Sequence, residues 1–169
     1  MNVRPALNRP ARQASQEKLG GAADGKDALR LELRLLTCAA LVEQRISARF
    51  RDQFDMTLPR WDFMAALDRR GAASLTEVSR LLMTTNGNVS GIYARLRRDR
   101  LVEPCEGGRD RRMQFVRLTP EGQRRFRDMA AAHETWVEAM FAGLDATERD
   151  ALLGLLDRAR TSLKQEGAR

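Results

Sequence analysis

Apolar residues recur at steps of three and four along much of the chain, which is the spacing of one face of an α-helix. The first such stretch runs from Leu29 to Phe54 and predicts a long amphipathic helix that ends near Asp55 to Pro59. Residues 1–25 lack this period and contain glycine, proline and arginine, so we expect a flexible basic tail there.

Three shorter helices are predicted next. Pro59 stands at a first-turn position of one helix, and Gly71 ends it. Ser74 followed by Glu77 matches the capping box and predicts the start of another. The stretch Thr84 to Gly87 then interrupts the apolar pattern before it resumes. The sequence therefore predicts two short helices joined by a tight turn.

A β-hairpin is predicted after these helices. Leu101 to Cys105 and Phe115 to Leu118 flank the polar, glycine-containing stretch Glu106 to Arg112. Pro104 lacks a backbone N–H and limits the first strand to an edge of the sheet.

Two helices complete the chain. The first begins after Thr119, which can cap it. Pro120 has the backbone angle of a first-turn residue, and the acid Glu121 is favoured there by the helix dipole. We expect this helix to continue past Met140. Asp145 and Glu148 repeat the capping-box spacing and predict the start of a last helix.

Positive charge is concentrated in the middle of the chain. The formal net charge is +7, and the segment from Gly91 to Arg127 holds eleven arginines against five acidic residues. Such a concentration is typical of a surface that binds a polyanion, although a solvated arginine-rich face without a partner is the alternative.

The sequence also limits compartment and chemistry. It contains no long uncharged apolar run and no secretory signal pattern, so we expect a cytoplasmic protein. Cys38 and Cys105 form no C-x-x-C pair, which fits a reducing compartment. The chain has no G-x-S-x-G, P-loop or dinucleotide motif, so we expect no enzyme and no cofactor.

The order helix, tight turn, helix and basic hairpin is that of a winged helix-turn-helix, whose second helix fits a DNA major groove of about 12 Å. Asparagine can bond adenine bidentately, serine can bond either base type, and glycine lets the backbone approach closely. The residues predicted to contact DNA from this recognition helix are Thr85, Asn86, Gly87, Asn88, Ser90, Gly91, Tyr93 and Arg95.

The hairpin tip carries Arg109, Arg111 and Arg112, and a narrow minor groove attracts guanidinium groups. Asp110 would repel phosphate unless it accepts hydrogen bonds from a neighbouring arginine and orients it. A generic polar turn is the alternative interpretation of this tip.

These motifs resemble the MarR family of bacterial regulators. The resemblance is carried by Asn88-Val89-Ser90, by Leu101-Val102-Glu103, and above all by Asp110-Arg111-Arg112 a few residues before Leu118-Thr119-Pro120-Glu121-Gly122. It implies a homodimer joined through the first and the last two helices, with Asn86 to Arg95 in a major groove of a palindromic operator and Arg112 in the adjacent minor groove. It also implies that Asp110 orients the wing arginines.

The predicted fold class is mainly α with a small β-hairpin wing, a winged helix-turn-helix flanked by long N- and C-terminal dimerisation helices. We expect residues 26–58 to form the N-terminal dimerisation helix, residues 59–119 the DNA-binding unit, and residues 120–169 the C-terminal dimerisation helices. Apolar residues are denser in the outer helices than coverage of a small winged unit requires, which independently favours a dimer.

In the MarR family, effectors bind where the dimer helices meet the DNA-binding unit, and some relatives respond to aromatic acids or their coenzyme A thioesters. Tryptophan walls with an arginine would suit such a ligand, although ordinary core aromatics are the alternative. The residues predicted to line this pocket are Arg34, Cys38, Arg49, Trp61, Met64, His133 and Trp136.

The sequence thus predicts a repressor released from its operator by a small aromatic acid or its thioester. One alternative is a constitutive architectural DNA-binding protein. Another is a redox-sensing regulator acting through Cys38, whose default role on an apolar helix face is that of a small hydrophobe. His133 is the only histidine, so a multi-histidine metal site is not expected.

Overall fold

The structure is a computed structural model that describes residues 26–106 and 115–166. The chain divides into two units, Met1–Ala48 and Arg49–Arg169, and the boundary falls inside the first helix. In chain order the elements are α1 (Asp27–Phe54), α2 (Leu58–Arg70), β1 (Ala73–Ser74), α3 (Leu75–Leu81), α4 (Asn86–Arg98), β2 (Val102–Cys105), β3 (Phe115–Leu118), α5 (Pro120–Met140) and α6 (Ala146–Glu166).

The predicted helices and the paired hairpin strands are all present. The predicted winged helix-turn-helix is confirmed in this order of elements, and helix α5 ends at Met140 rather than beyond it. The strand β1 was not predicted, because two residues are too few to show an alternating pattern. The predicted basic tail, residues 1–25, lies outside the described residues.

The core of the second unit surrounds α2. This helix contacts α4, β3 and α5, and its Phe63, Met64 and Leu67 are fully buried. Val89 and Leu96 of α4 are also fully buried. Burying each of these side chains stabilises the folded protein by roughly 1.5–3 kcal/mol relative to leaving it exposed. The short helices therefore depend on packing for their stability.

Local signals fix where α2 ends and α3 begins. Gly71 has φ +73, a left-handed conformation that glycine adopts without a Cβ penalty, and it ends α2 as predicted. The capping box is present: the backbone N–H of Ser74 donates to Glu77 Oε2 at 2.8 Å, and the backbone N–H of Glu77 donates to Ser74 Oγ at 3.2 Å. The Glu77 carboxylate thus accepts from both the backbone N–H and the hydroxyl of Ser74, and these two bonds hold the pKa of Glu77 below its ordinary value.

The three strands of the described sheet follow the order β1, β3, β2. All pairs are antiparallel, with Ala73 opposite Val116 and Val102 opposite Leu118. Pro104 therefore lies on an edge strand, as its missing N–H predicts.

The start of α5 is docked on the residue that precedes β2. The backbone N–H of Thr119 donates to the Leu101 carbonyl at 3.1 Å, and the Thr119 hydroxyl caps the helix by accepting from the N–H of Gly122 at 2.9 Å. A Cβ on Gly122 would lie 2.9 Å from the Leu101 carbonyl carbon and would overlap its oxygen. Glycine is therefore required at this position by close backbone approach, because a backbone atom cannot move aside as a flexible side chain does.

No helix within residues 26–106 and 115–166 is both long and apolar enough to cross a bilayer.

We predict that Gly122→Ala lowers the free energy of unfolding by about 1–3 kcal/mol, as expected for overpacking against rigid backbone. Urea unfolding followed by circular dichroism measures this difference. Gly143→Ala is the control, because a Cβ there would meet nothing within 4 Å. Equal stabilities of the two variants would show that α5 does not require this close approach.

Candidate nucleic-acid interface and aromatic cluster

The turn between α3 and α4 holds the start of α4 in place. The hydroxyl of Ser79, a buried residue on α3, donates to Asn86 Oδ1 at 2.6 Å. Thr85 is the N-cap of α4, and its side chain accepts from the N–H of Asn88 at 3.3 Å. The turn passes through Met83 at φ +48, a left-handed conformation that is uncommon for a residue with a side chain. The orientation of α4 relative to α3 is thus set by specific bonds as well as by packing.

One side of α4 belongs to the core. Its buried residues are Val89, Ile92, Tyr93 and Leu96. Tyr93 was predicted to contact DNA, but it is only 7% exposed and faces the core. The reason is helical geometry, since a residue four positions after Val89 lies on the same face. The apolar spacing of the sequence contained this signal.

The opposite side of α4 is exposed and is built of small residues. We call it the outward face and define it by Gly87, Ser90, Gly91 and Ala94. A Cβ at either glycine would meet nothing within 4 Å, so no packing inside the described chain requires glycine there. Glycine inside a helix is destabilising by roughly 0.5–1 kcal/mol relative to alanine, so Gly91 lowers helix stability without an internal reason.

The two asparagines predicted as base contacts differ in their surroundings. The side-chain oxygen of Asn86 accepts from Ser79, and its backbone carbonyl accepts from the Ser90 hydroxyl at 2.9 Å. Asn88 is exposed, and its Nδ2 donates to the hydroxyl of Thr84 at 2.9 Å. A bond at the surface is easily exchanged for a bond to another molecule, so exposed Asn88 is the better placed of the two asparagines to contact a ligand.

The C-terminal end of α4 is positively charged. Arg95, Arg97, Arg98 and Arg100 are all exposed, and Arg98 Nε lies 3.6 Å from Asp99 Oδ1. This cluster adjoins the outward face, so one helix offers small and amide-bearing residues together with guanidinium groups.

The predicted wing tip, with Arg109, Asp110, Arg111 and Arg112, lies outside the described residues, and its role stays a prediction. Where the hairpin is described, Arg117 Nε on β3 donates to Glu103 Oε1 on β2 at 2.8 Å. This cross-strand pair adds to the backbone pairing of the two strands.

A second feature of the Arg49–Arg169 unit is an aromatic cluster. Fully buried Phe50 is its centre, with ring centroids 5.2 Å from Trp61, 5.2 Å from Trp136 and 5.7 Å from His133. Trp61 also lies 4.6 Å from His133 and 6.0 Å from Phe126. The cluster therefore joins the end of α1, the first turn of α2 and one side of α5.

Polar groups border this cluster. The guanidinium carbon of Arg49 lies 5.7 Å from the centre of the Trp136 ring, within range of a cation–π interaction. The indole Nε1 of Trp61 is buried and has no hydrogen-bond partner among the described residues. Burial lowers the pKa of His133 below its ordinary value, because the charged imidazolium is poorly solvated there.

The predicted effector residues separate into three groups. Arg49, Trp61, His133 and Trp136 come together in the aromatic cluster. Met64 is fully buried in the core. Arg34 and Cys38 lie on α1 in the other unit, where both are exposed, so their part in the pocket stays a prediction.

Sequence reasoning missed the centre of the cluster. Phe50 and Phe126 were not among the predicted pocket residues, although Phe50 and Phe54 are four positions apart and share a helix face. The contact of Phe126 with Trp61 joins residues far apart in the sequence, and helical periodicity carries no signal for it.

Neither cysteine is in a disulfide, and Cys105 is half-buried on β2. The residues 26–106 and 115–166 contain no group of three or more histidine, cysteine or acidic side chains arranged to hold a metal ion.

We predict that the stability of the protein decreases as the pH falls below about 6.5, the ordinary pKa of histidine, because unfolding releases His133 to bind a proton. A folded-state pKa below the unfolded value gives stability that is complete above the unfolded pKa and is lost on acidification. Thermal unfolding between pH 8 and 5 measures the effect, and His133→Phe should flatten the profile. Since the chain has one histidine, an unchanged profile in that variant would contradict the assignment.

Comparison with known proteins gives consistent results. No protein-family model matches the chain. The chain is 33% identical over 107 residues to the transcriptional activatory protein BadR of Rhodopseudomonas palustris. The match covers 60% of this chain and 61% of BadR, which is less than two thirds of that relative's length.

Solved structures share the fold over most of their length. One is BpsR of Bordetella bronchiseptica, whose DNA binding is regulated by 6-hydroxynicotinic acid. It is 27% identical to this chain, the match covers 75% of this chain and 98% of BpsR, and the TM-score is 0.63. A mutant of MarR from E. coli in complex with operator DNA is 18% identical, with 81% and 99% covered and a TM-score of 0.69.

None of these names is that of an enzyme, in agreement with the prediction from the sequence. The resemblance inferred from the motifs is confirmed, and the chain has the winged helix-turn-helix fold of the MarR family of transcriptional regulators.

Proposed function

We propose that the protein is a homodimeric, sequence-specific DNA-binding regulator of transcription, whose DNA binding is regulated by a small aromatic acid or its coenzyme A thioester. The observation that carries the proposal is the outward face of α4, which has no packing role within the described chain and adjoins exposed arginines. The solved structure of MarR bound to operator DNA supports the same use of this fold.

Small residues on the outward face support insertion of α4 into a major groove. A helix with glycine, serine and alanine on one side brings its backbone closer to the floor of a groove than a helix with long side chains there. Contact with DNA would then explain why glycine stands at position 91, although it lowers the stability of the helix.

Base readout and affinity are assigned to different residues. Exposed Asn88 near the start of α4 can bond adenine bidentately, and Arg95 is placed about two turns further along the helix. The arginines at the end of α4 would neutralise phosphates, which gives affinity with little sequence preference. We propose that Arg109, Asp110, Arg111 and Arg112 add contacts to the adjacent minor groove.

A second copy of the chain is proposed to cover the apolar outer surfaces. Helices α1 and α6 each carry a set of exposed leucines: Leu29, Leu31, Leu35, Leu36 and Leu41 on α1, and Leu152, Leu153, Leu155, Leu156 and Leu163 on α6. A groove of about 340 Å³ between the end of α5 and α6 is lined by Phe141, Leu144 and Leu152, among others. So many exposed leucines are unusual on a monomer. A twofold dimer would present two copies of α4 to a palindromic site.

We predict that Asn88→Ala relaxes base preference. Duplexes are first selected from a random-sequence library with the unaltered protein, and binding is measured by fluorescence anisotropy at several salt concentrations. Loss of a bidentate contact should weaken binding to the selected duplex by about 1–3 kcal/mol, or roughly 5- to 150-fold. Binding to unselected duplex and the dependence of affinity on salt should change little.

Thr161→Ala on α6 is the control, because the Thr161 hydroxyl bonds the Asp157 carbonyl of its own helix at 2.9 Å. An equal loss of affinity for all duplexes in Asn88→Ala would favour the architectural alternative. A protein that binds no duplex in dilute salt would contradict the proposed function.

The aromatic cluster is proposed as the effector site. Its rings can stack on a planar ligand, the Arg49 guanidinium can pair with a carboxylate, and the buried Nε1 of Trp61 lacks an acceptor that such a ligand could supply. BpsR supports the ligand class, since 6-hydroxynicotinic acid is an aromatic acid. A ligand regulates DNA binding only as far as it binds one form of the dimer better than the other.

We predict that an aromatic acid raises the melting temperature and changes tryptophan emission, because Trp61 and Trp136 are the only tryptophans and both lie in the cluster. The probes are benzoate, 6-hydroxynicotinate and benzoyl coenzyme A. At a concentration 100 times Kd, the stabilisation of about 2.7 kcal/mol corresponds to a rise of roughly 5–10 °C.

Arg49→Gln should weaken binding of the effective probe by about 10-fold or more, since a hydrogen bond to a charged group contributes about 1.5–3 kcal/mol. Arg127→Gln, at an exposed position of α5, is the matched control. If a probe stabilises Arg49→Gln to the same extent as the unaltered protein, it binds outside the aromatic cluster.

Whether the protein represses or activates transcription depends on where its operator lies relative to the promoter. We propose repression, which requires an operator that overlaps the promoter of the regulated gene. BadR is named as a transcriptional activatory protein, so a relative of this chain is named for the opposite sign of regulation.

A further inference from the structure

Arg60 and Asp99 form an ion pair between two helices that are distant in sequence. The guanidinium Nη2 of Arg60, in the first turn of α2, pairs with Oδ2 of Asp99, the C-cap residue of α4. The Arg60 side chain is only 13% exposed and that of Asp99 is 34% exposed. The pair is therefore better shielded from water than the others described, whose side chains are at least one third exposed.

Each of these charges is unfavourable in its own helix. A cation in the first turn lies at the positive end of the helix dipole, and an acid at the C-cap lies at the negative end. The pairing reverses both effects, because it brings the carboxylate to the start of α2 and the guanidinium to the end of α4. Local helix rules thus give no reason for either residue, and the contact between the helices explains both.

The pair adjoins the aromatic cluster through the chain itself. Trp61 follows Arg60 directly in the first turn of α2, and its ring lies 4.6 Å from His133 and 5.2 Å from Phe50. The Nε of Arg60 and the Nε1 of Trp61 are both buried without a hydrogen-bond partner among the described residues. One helical turn therefore carries a cluster residue and the residue that binds the end of α4.

We propose that Arg60 and Asp99 are positioning residues that couple the aromatic cluster to α4. The inference rests on the proposed function, in which α4 contacts DNA and the cluster binds an effector. A shift of the first turn of α2 at Trp61 moves Arg60 and, through Asp99, the end of α4. Arg60 is too buried to be a DNA contact, so its effect on DNA binding is indirect.

Such coupling is reciprocal, so occupation of α4 by DNA must also alter the surroundings of Trp61. Trp136→Phe leaves Trp61 as the only tryptophan and makes its emission the readout. In this background the experiment measures the change of Trp61 emission when a duplex selected from a random-sequence library is added. It also measures quenching of the emission by acrylamide without DNA.

Asp99→Asn removes the charge while keeping the side-chain shape, and Arg60→Gln removes the other partner. Each should remove most of the DNA-induced emission change, because the contact that transmits the shift is lost. Each should also increase acrylamide quenching without DNA. The double variant should show no larger effect than either single variant, because both remove one contact.

Glu121→Gln is the matched control, since it removes an acid from an exposed pair with Arg124 within a single helix. Circular dichroism establishes that each variant is folded. If Asp99→Asn or Arg60→Gln is folded and keeps both the emission change and the quenching of the background protein, the coupling is refuted, whatever happens to DNA affinity.

Failure of the proposed function gives a different result. If the Trp136→Phe protein binds no duplex, the DNA-binding proposal fails. The role of the ion pair is then tested by acrylamide quenching alone. Increased quenching in both variants but not in Glu121→Gln would then still show that the pair positions Trp61, and unchanged quenching would refute it.

Discussion

The burial of one side of α4 determines how the winged helix-turn-helix presents this helix to solvent. Val89, Ile92 and Leu96 are inserted into the core around α2, and this packing fixes the rotation of the helix about its axis. Its outward face then includes two glycines, Gly87 and Gly91, that no packing contact in the described chain requires. The bond that Ser79 donates to Asn86 and the bond that Thr85 accepts from Asn88 determine where the helix begins, so both its rotation and its position along the axis are specified.

Much of this arrangement was predictable from the sequence because the signals are local. The capping box at Ser74, the left-handed Gly71 and the Thr119 cap each act within a few residues, and the structure contains all three. Tyr93 shows how a local signal can be misread, since its place on the predicted recognition helix suggested DNA contact while its spacing from Val89 placed it in the core. The pattern of burial is stronger than the chemistry of a single side chain in such a case.

The parts that were not predictable depend on contacts between distant segments. The two residues of β1 form a strand only because β3 pairs with them. The aromatic cluster forms because the end of α1, the first turn of α2 and one side of α5 meet. Of its rings only the tryptophans and the histidine were recognisable beforehand, together with the bordering Arg49. Arg60 and Asp99 gave no local signal at all, because each is the wrong charge for its helix end.

The last of these contacts bears on how a rigid fold can transmit a signal. A core of closely packed side chains does not deform smoothly, so a ligand acts by favouring one of a few discrete arrangements. A partly shielded ion pair that joins two helix ends is suited to such a choice, since separation would leave the largely buried Arg60 guanidinium poorly solvated. Exposed pairs such as that of Arg117 with Glu103 cannot act in this way, because water stabilises their charges in either arrangement. In the proposed function, α4 approaches DNA as part of the fold shared with MarR, and the contact of Arg60 with Asp99 influences that approach.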